Sequence, residues 1–346
     1  MYSQDVDLIS SFHVNAGHSK NSIKSYNVAF NHYRRFHHMS LSDLLTEAIE
    51  EQENSIPFNR ISIYNRLLDF RNYLIDNLKG SSVSSNFSKI KTFYHYNRIN
   101  IPFIPPINNK TITKYDAISF DDLLTKQEII KAFDIAEESI KSWILVLASS
   151  GCSRLEAKSL TNEIFYQGTY SYHRKDDFHD ALRYLANHND VVCTCKLTRR
   201  KTDKPYYTFL NPETVQFIAR SKLERADFNP NGPLLDYSVD YVGRKFGFIN
   251  DYLNLGYAGA YRRFRPHMLR KFNATYLNQV GDELLDMDMI DCLHGRSKGT
   301  TREAYFKNNP YYLKLAYIRC MNNVSLFHTY TYEIADGKVH VYSKRH

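Results

Sequence analysis

The 346-residue sequence has little cysteine and no long apolar run. Its five cysteines are an odd number, and they come without a C-x-x-C pair or a paired histidine cluster. That pattern is atypical of a disulfide framework and of a zinc site, and it fits a reducing compartment. No apolar stretch approaches the roughly 18 residues of a membrane span, and the polar N-terminus is unlike a signal peptide. We therefore expect a cytoplasmic protein with no metal site and no membrane partner.

Positive charge and aromatic side chains are in excess. Lys and Arg number 45 against 37 Asp and Glu, which leaves a formal net charge of +8. A surplus of this size favours a polyanionic partner, with nucleic acid ahead of a membrane surface. Charge alone is equally compatible with a soluble basic protein that has no such partner.

The length predicts two domains. Four stretches in the first hundred residues repeat apolar side chains at helical spacing. The third of them, Ile61–Leu78, is predicted to be terminated by Gly80. The fourth, SSVSSNFSKIKTFYHY, is predicted to be a helix capped by serine. A proline-rich stretch without periodicity then predicts a linker. The predicted parts are an N-terminal extension (1–17), a helical domain (18–102), a linker (103–120), a larger domain (121–318) and a tail (319–346).

The hydrophobic period changes in residues 190–210, DVVCTCKLTRRKTDKPYYTFL. Two β-rich runs flank a polar turn there and predict a hairpin, with Cys193 and Cys195 on one face. The tail alternates around Asp336-Gly337 and predicts another hairpin. Helical patterns fill much of the rest, including YRRFRPHMLRKFNATYLNQV, and no internal repeat is present. The predicted fold class is therefore mainly α with a small antiparallel β-sheet (α+β).

Residues 266–277, PHMLRKFNATYL, combine a helical apolar stripe with two polar groups near the helix start. Pro266 suits the first helical turn. His267 and Arg270 stand three residues apart and so project together. Free backbone donors and the helix dipole favour an anion at this end, and a guanidinium binds two phosphate oxygens. Taken alone, the stretch is better explained as an ordinary amphipathic helix with a surface histidine and arginine.

The stretch PHMLR…ATYL resembles the P-H-x-L-R-(H)-x-x-A-T-x-L box of the tyrosine recombinases, the phage-integrase family. SSGCSRLEAKSLT (149–161) resembles the first box of that family, with Glu156 at the usual distance from Gly151. Arg154 comes one residue later than the family arginine, where Ser153 stands, and one residue is about 100° around a helix. No other arginine is near, so the resemblance assigns this position to Arg154.

The hairpin turn and the stretch LHGRSKGTTREAYFK (293–307) resemble two further landmarks. Lys201 is preferred over Lys196 and Lys204 as the family's hairpin lysine, although phosphate contact by the whole basic turn is nearly as well supported. In the last box Arg296 takes the place of the usual histidine, with His294 in reserve. Tyr305 follows nine residues after Arg296. This Gly-Arg form looks like the integrases of archaeal viruses and plasmids.

The resemblance implies a helical core-binding domain, a catalytic domain and a site-specific recombinase or integrase. Tyr305 would attack a DNA phosphate and form a 3′-phosphotyrosyl bond, while Arg154 and Arg270 bind the non-bridging oxygens. Lys201 would protonate the leaving 5′-oxygen, His267 would take the tyrosine proton or donate to the phosphate, and Arg296 would add a donor. No cofactor is implied, and the sequence offers no carboxylate cluster for two-metal chemistry.

The implied partner is double-stranded DNA, held by the two domains as a clamp in the host cytosol or nucleoid. The implied assembly is a tetramer on DNA, formed by a protein that can be monomeric in solution. The alternatives are a type IB topoisomerase and a DNA-binding protein of this fold that no longer cleaves, as the displaced Arg154 and the missing histidine allow. The expected DNA contacts are Lys89, Lys91, Arg199, Arg200, Lys204, Arg262, Arg263 and Lys271, where Lys271 replaces a frequent histidine.

Overall fold

The structure is a computed structural model and describes residues 4–57, 60–108, 112, 118–225, 229–296, 309–335 and 338–344. The chain divides into two compact units, Met1–Asp116 and Ala117–His346. Its described part is mostly helical, and its strands pair antiparallel in two-stranded sheets. The predicted fold class, mainly α with small antiparallel β structure, is confirmed.

The first unit is a bundle of helices around an aromatic-rich core. Phe12, Phe30 and Phe93 are all buried, with ring centroids 5.1 to 6.0 Å apart. Ser40 accepts from the backbone N–H of Asp43 at 3.0 Å and so caps the helix that begins at Leu41. The helices are α1 Asp5–Asn15, α2 Lys20–His37, α3 Leu41–Glu53, α4 Ser62–Asn77 and α5 Ser81–Tyr96.

Two details of the predicted helices in this unit are wrong. Helix α4 ends at Asn77, and Gly80 is the residue before α5 rather than the end of α4. Gly80 has φ of +58°, and no side chain caps α5. A glycine before a run of serines fits either helix end in the sequence. In the structure Leu78 is already extended, so Gly80 is too far from α4 to cap it.

The second unit surrounds α7, an almost entirely buried helix. Its Trp143 is fully buried and donates through Nε1 to the carbonyl of Asp236 at 2.8 Å. The helices are α6 Lys126–Ile135, α7 Glu138–Ser150, α8 Arg154–Lys158, α9 Asn162–His173, α10 Phe178–Asn187, α11 Pro212–Leu223, α12 Val239–Tyr252, α13 Pro266–Gln279, α14 Met287–Leu293 and α15 Pro310–Cys320, followed by a 3₁₀ turn, Met321–Asn323.

Helix α13 is shorter than the sequence pattern predicts. It begins at Pro266, and Arg265 before it is extended, with φ of −154° and ψ of 159°. A residue that precedes proline is sterically pushed out of the α region. The residues before it instead pair Tyr257–Ala258 (β3) with Tyr261–Arg262 (β4).

The hairpin predicted in residues 190–210 is present. Strand β1, Cys193–Arg199, pairs antiparallel with β2, Lys204–Leu210. Cys193, Cys195 and Leu197 are buried, which confirms that the two cysteines share the inner face. The tail forms a second hairpin of β5, Thr329–Ala335, and β6, Lys338–Lys344.

Neither a membrane span nor a metal-binding cluster is found in the described ranges. No helix there is both long and apolar enough to cross a bilayer. The same residues contain no group of three or more His, Cys, Asp or Glu side chains placed to hold a metal ion.

Candidate active site

Four segments of the second unit converge on one polar cluster. They are α8 with the loop that leads into it from α7, the end of β1, the first turns of α13 and the end of α14. Their central side chains are Glu156, Arg199 and Arg270, and His294 contributes its main-chain carbonyl. Residues brought together here come from all four boxes of the resemblance.

Arg270 is the most buried arginine of the cluster, with 6% of its surface exposed. Its Nη1 donates to the Gly151 carbonyl at 2.8 Å, and its Nη2 donates to the His294 carbonyl at 2.9 Å. Burial is the main cause that lowers the pKa of this guanidinium, which still stays protonated. Two fixed carbonyls therefore orient a buried cation.

Glu156 is the carboxylate that the cluster shares. It is buried and also closes a capping box, in which Oε2 accepts from the Ser153 backbone N–H at 2.8 Å. Oε1 lies 3.8 Å from Arg199 Nη1, and Oε2 lies 3.6 Å from Arg270 Nη1. Two guanidinium groups and one carboxylate leave an excess of one positive charge, which suits an anion.

The His294 ring is buried and held by an asparagine. Asn273 Nδ2 donates to the carbonyls of Ala148 and Ser149, both at 2.9 Å, so its Oδ1 must face the ring as an acceptor. His294 Nε2 lies 2.8 Å from that Oδ1 and therefore carries the proton. Burial, followed by the nearby Arg270, lowers the pKa of His294 well below its ordinary value, so the ring is neutral.

The end of α14 fixes where the His294 carbonyl points. Gly295 has φ of +61°, and its backbone N–H donates to the Cys292 carbonyl at 3.0 Å. The backbone N–H of Arg296 donates to the Asp291 carbonyl at 2.7 Å. This is a Schellman end, which needs a left-handed residue at the glycine. A Cβ there would also lie 2.7 Å from the Tyr206 ring, so two independent constraints require glycine.

His267 lies at the exposed start of α13, three residues before Arg270. Partial desolvation lowers its pKa, and the cations Arg265, Lys271, Arg270 and Arg296 lower it further. A neutral imidazole beside this many cations can accept a proton or bind an anion.

The remaining predicted catalytic residues differ in their surroundings. Arg154 Nη1 donates to the Val239 carbonyl of α12 at 3.2 Å, and its guanidinium forms no hydrogen bond or ion pair with Glu156 or Gly151. Lys201 is exposed in the turn between β1 and β2. Arg296 is exposed and lies 3.2 Å from Asp291 Oδ1. Tyr305 lies outside the described residues.

The predicted DNA contacts in the second unit fall into two groups. Arg263 binds Glu128 at 2.6 Å and also donates to the carbonyls of Asp122 and Leu123, so its guanidinium is engaged inside the protein. Arg262 is exposed but forms a bidentate pair with Asp251. The other members are exposed or partly exposed: Arg199, Arg200, Lys204 and Lys271.

Two predicted contacts lie on α5 of the first unit. Lys89 Nζ donates to the Ser85 carbonyl at 3.3 Å, and Lys91 Nζ lies 5.2 Å from the centre of the Phe87 ring. Both side chains are partly exposed, so their ammonium groups remain candidates for phosphate contact.

Sequence reasoning did not predict Asn273, nor the use of the His294 main chain. Asn273 follows Arg270 by three residues, so helical spacing places it on the same face and could have indicated its part in the cluster. The use of a carbonyl leaves no trace in side-chain identity, so no pattern could have pointed to it.

No family model matches the chain, and a search of the curated proteins finds no match. Among solved structures, the XerH site-specific recombinase bound to palindromic difH substrate, in a post-cleavage complex, is 15% identical. It covers 86% of this chain and 80% of its own, with a TM-score of 0.53. A lambda integrase tetramer bound to a Holliday junction is 13% identical and covers 87% and 85%, with a TM-score of 0.48. The comparison with XerH shows that the chain has the fold of a site-specific recombinase.

Proposed function

We propose that the protein is a site-specific DNA recombinase or integrase that cleaves and rejoins double-stranded DNA through a 3′-phosphotyrosyl intermediate. The observation that carries the proposal is the position of Arg270. The PHMLR box predicts this arginine to bind phosphate, and it lies in a net-positive cluster near His267. The fold shared with XerH, a recombinase solved after cleavage of its substrate, supports the same reaction class.

The proposed cleavage exchanges one phosphodiester bond for another. The phenolic oxygen of Tyr305 bonds to the scissile phosphorus, and the bond from phosphorus to the 5′-oxygen breaks. His267 takes the phenolic proton, and Lys201 gives a proton to the leaving 5′-oxygen. Arg270 binds the non-bridging oxygens, and Arg296 adds a further donor.

Rejoining reverses these steps. A 5′-hydroxyl from another strand attacks the phosphotyrosyl phosphorus and releases the tyrosine. The covalent link conserves the bond energy, so the reaction as proposed uses neither ATP nor a metal ion. The resemblance assigns the second phosphate-binding arginine to Arg154, but Arg154 Nη1 donates to the Val239 carbonyl of α12.

The proposed partner is duplex DNA, and exchange between two duplexes implies a tetramer on DNA. The exposed basic residues of the hairpin turn would contact phosphates, so binding should weaken steeply as salt rises. Because the Gly295-Arg296 pair is similar to integrases of archaeal viruses and plasmids, we infer an integrase of a mobile element. It would act in the host cytosol or nucleoid.

A pool of nicked duplexes tests the proposal without knowledge of the target site. Random sequence flanks one nick, so that a short 5′-hydroxyl fragment diffuses away after cleavage and the covalent adduct persists. Wild type should form an adduct that survives denaturing electrophoresis, and Tyr305→Phe should form none. If wild type forms no adduct, the enzyme proposal fails. If Tyr305→Phe still forms one, the nucleophile is another tyrosine.

Sequences recovered from the adducts then separate recombinase from topoisomerase. Two marked duplexes that carry the recovered site should exchange strands if the protein is a recombinase. Relaxation of a supercoiled plasmid without any exchange would instead favour the type IB topoisomerase. Retention of DNA on a native gel with neither activity would favour a DNA-binding protein that no longer cleaves.

The pH profile of cleavage distinguishes the two roles open to His267. A base must be neutral, and the pKa of this histidine lies below its ordinary value of 6.5. At subsaturating recovered substrate, the rate should therefore be flat from about pH 8 to pH 6.5 and fall below that. His267→Gln should lose this acidic limb and slow cleavage by at least about 10²-fold. A rate that rises as the pH falls would identify His267 as a phosphate donor instead.

A further inference from the structure

We propose that Arg199, the last residue of β1, is the second phosphate-binding arginine of the site, in the role that the resemblance assigns to Arg154. The inference rests on the proposed function and names a further catalytic residue for it. It also accounts for a departure of this sequence from the family pattern: Ser153 stands at the position where the family usually has an arginine.

The alternation of β1 places Arg199 on the site face of the hairpin. Cys193, Cys195 and Leu197 are buried, whereas Lys196 and Thr198 are exposed. Arg199 has the same parity as the buried residues, so its side chain follows them towards the interior. Its side chain retains 21% exposure, which leaves part of the guanidinium open to a ligand.

Arg199 and Arg270 share two partner residues, His294 and Glu156. Arg199 Nη1 donates to the His294 carbonyl at 2.7 Å, and Arg270 Nη2 donates to that same oxygen at 2.9 Å. Each guanidinium also faces a different oxygen of Glu156, at 3.8 Å and 3.6 Å. Shared anchors hold two cations side by side, and an anion bound by both would relieve their repulsion.

Arg154 lacks this geometry. It is the first residue of α8, and Ser153 before it is the capping residue that pairs with Glu156. The one-residue shift turns Arg154 away from the Glu156 carboxylate, and its Nη1 donates to the Val239 carbonyl. Its Nη1 also lies 2.9 Å from where a Cβ on Gly243 would stand, which places the guanidinium against α12.

The role of Arg199 in the proposed reaction is electrostatic. Negative charge accumulates on the non-bridging oxygens as Tyr305 attacks, and Arg199 and Arg270 each bind one of these oxygens. Arg199 transfers no proton, because a guanidinium stays protonated through the reaction. Its contribution should therefore depend on the charge of the phosphate.

Methylphosphonate DNA tests that dependence. The recovered site is prepared with the scissile phosphate either native or carrying a methyl group in place of one non-bridging oxygen, which removes the negative charge. Arg199→Ala should cleave native DNA about 10²–10³-fold more slowly than wild type. On the matching methylphosphonate diastereomer its deficit should shrink to about tenfold or less, because the charge that Arg199 neutralises is gone.

Three further variants make the result specific. Arg154→Ala should gain no comparable recovery from the methyl group. Arg200→Ala removes the same charge from the adjacent turn position, and its defect should lie in salt-sensitive DNA binding rather than in the cleavage step. Arg199→Lys keeps a cation beside Glu156, so it retains the fold if alanine does not, and it should show a smaller deficit with the same recovery.

Two results would overturn the assignment. If Arg199→Ala slows cleavage equally on both substrates, the role of Arg199 is structural and consists of its hydrogen bond from the hairpin to His294. Recovery of Arg154→Ala alone would return the role to Arg154. Failure of the proposed function is distinguishable from both, because wild type would then trap no adduct on the nicked pool.

Discussion

Replacement of Arg270 by alanine is expected to slow DNA cleavage by about 10³–10⁵-fold, the range known for an arginine that stabilises a transferring phosphoryl group. The expected loss is larger than for Arg199→Ala because Arg270 is fixed by two carbonyls, those of Gly151 and His294. A preorganised donor needs no rearrangement as charge develops on the phosphate oxygens. The measurement is the single-turnover rate constant on the recovered site.

The same change also disturbs the fold, and the two effects can be separated. Without Arg270, the buried Glu156 keeps, among the described residues, the more distant Arg199 as its one cationic partner, so stability falls as well. The amplitude of a single turnover reports how much protein is folded, whereas its rate constant reports the chemistry. Arg270→Lys retains a charge but reaches one carbonyl at a time, so it should recover amplitude and only part of the rate. A normal rate constant in Arg270→Ala would remove Arg270 from the reaction.

Short-range regularities made much of this fold predictable. Alternation in VVCTC and YYTFL correctly indicated the β1–β2 hairpin. Helix α11 begins at Pro212, a residue type that suits the first helical turn. Helix ends were harder, because Gly80 can end one helix or precede the next. The apolar pattern of YRRFRPHMLRKF predicts a helix from its first residue, but the proline after Arg265 disfavours the helical conformation there and α13 begins at Pro266.

The candidate site was predictable only in part. The motifs of the resemblance include both Arg270 and Glu156. In the structure Arg270 Nη1 lies 3.6 Å from Glu156 Oε2. The relation between Arg199 and Arg270 depends on a carbonyl 95 residues away from Arg199 along the chain. Motif order therefore favoured Arg154, which is close in sequence, over Arg199, which is close in space. Strand parity in β1 was the one local signal that pointed to Arg199.

Gly151→Ala is the second change with a large expected effect, because the residue is constrained twice. Gly151 ends α7 with φ of +60°, where an L-residue costs about 1–2 kcal/mol. A Cβ there would also lie 2.2 Å from His294 Nε2 and 2.4 Å from Asn273 Oδ1. His294 follows α14, and Asn273 lies within α13 and is hydrogen-bonded to the end of α7. Both side chains are buried and cannot move away cheaply, so overpacking adds about 1–3 kcal/mol.

Gly256→Ala is the matched control for the strain alone. Gly256 belongs to the same unit and has φ of +75°, but a Cβ there would meet nothing within 4 Å. We expect its free energy of unfolding to fall by about 1–2 kcal/mol and that of Gly151→Ala by about 2–5 kcal/mol.

The fluorescence of Trp143 can follow both transitions. It is the chain's single tryptophan, it is fully buried, and it lies on α7 two turns before Gly151, so its signal reports the second unit selectively. Urea unfolding followed by this signal should separate the two variants clearly. Since the Gly151 carbonyl also anchors Arg270, Gly151→Ala should lose cleavage at temperatures where Gly256→Ala retains it. Equal stability of the two variants would show that His294 and Asn273 can yield, and the site would then be less rigid than its hydrogen bonds indicate.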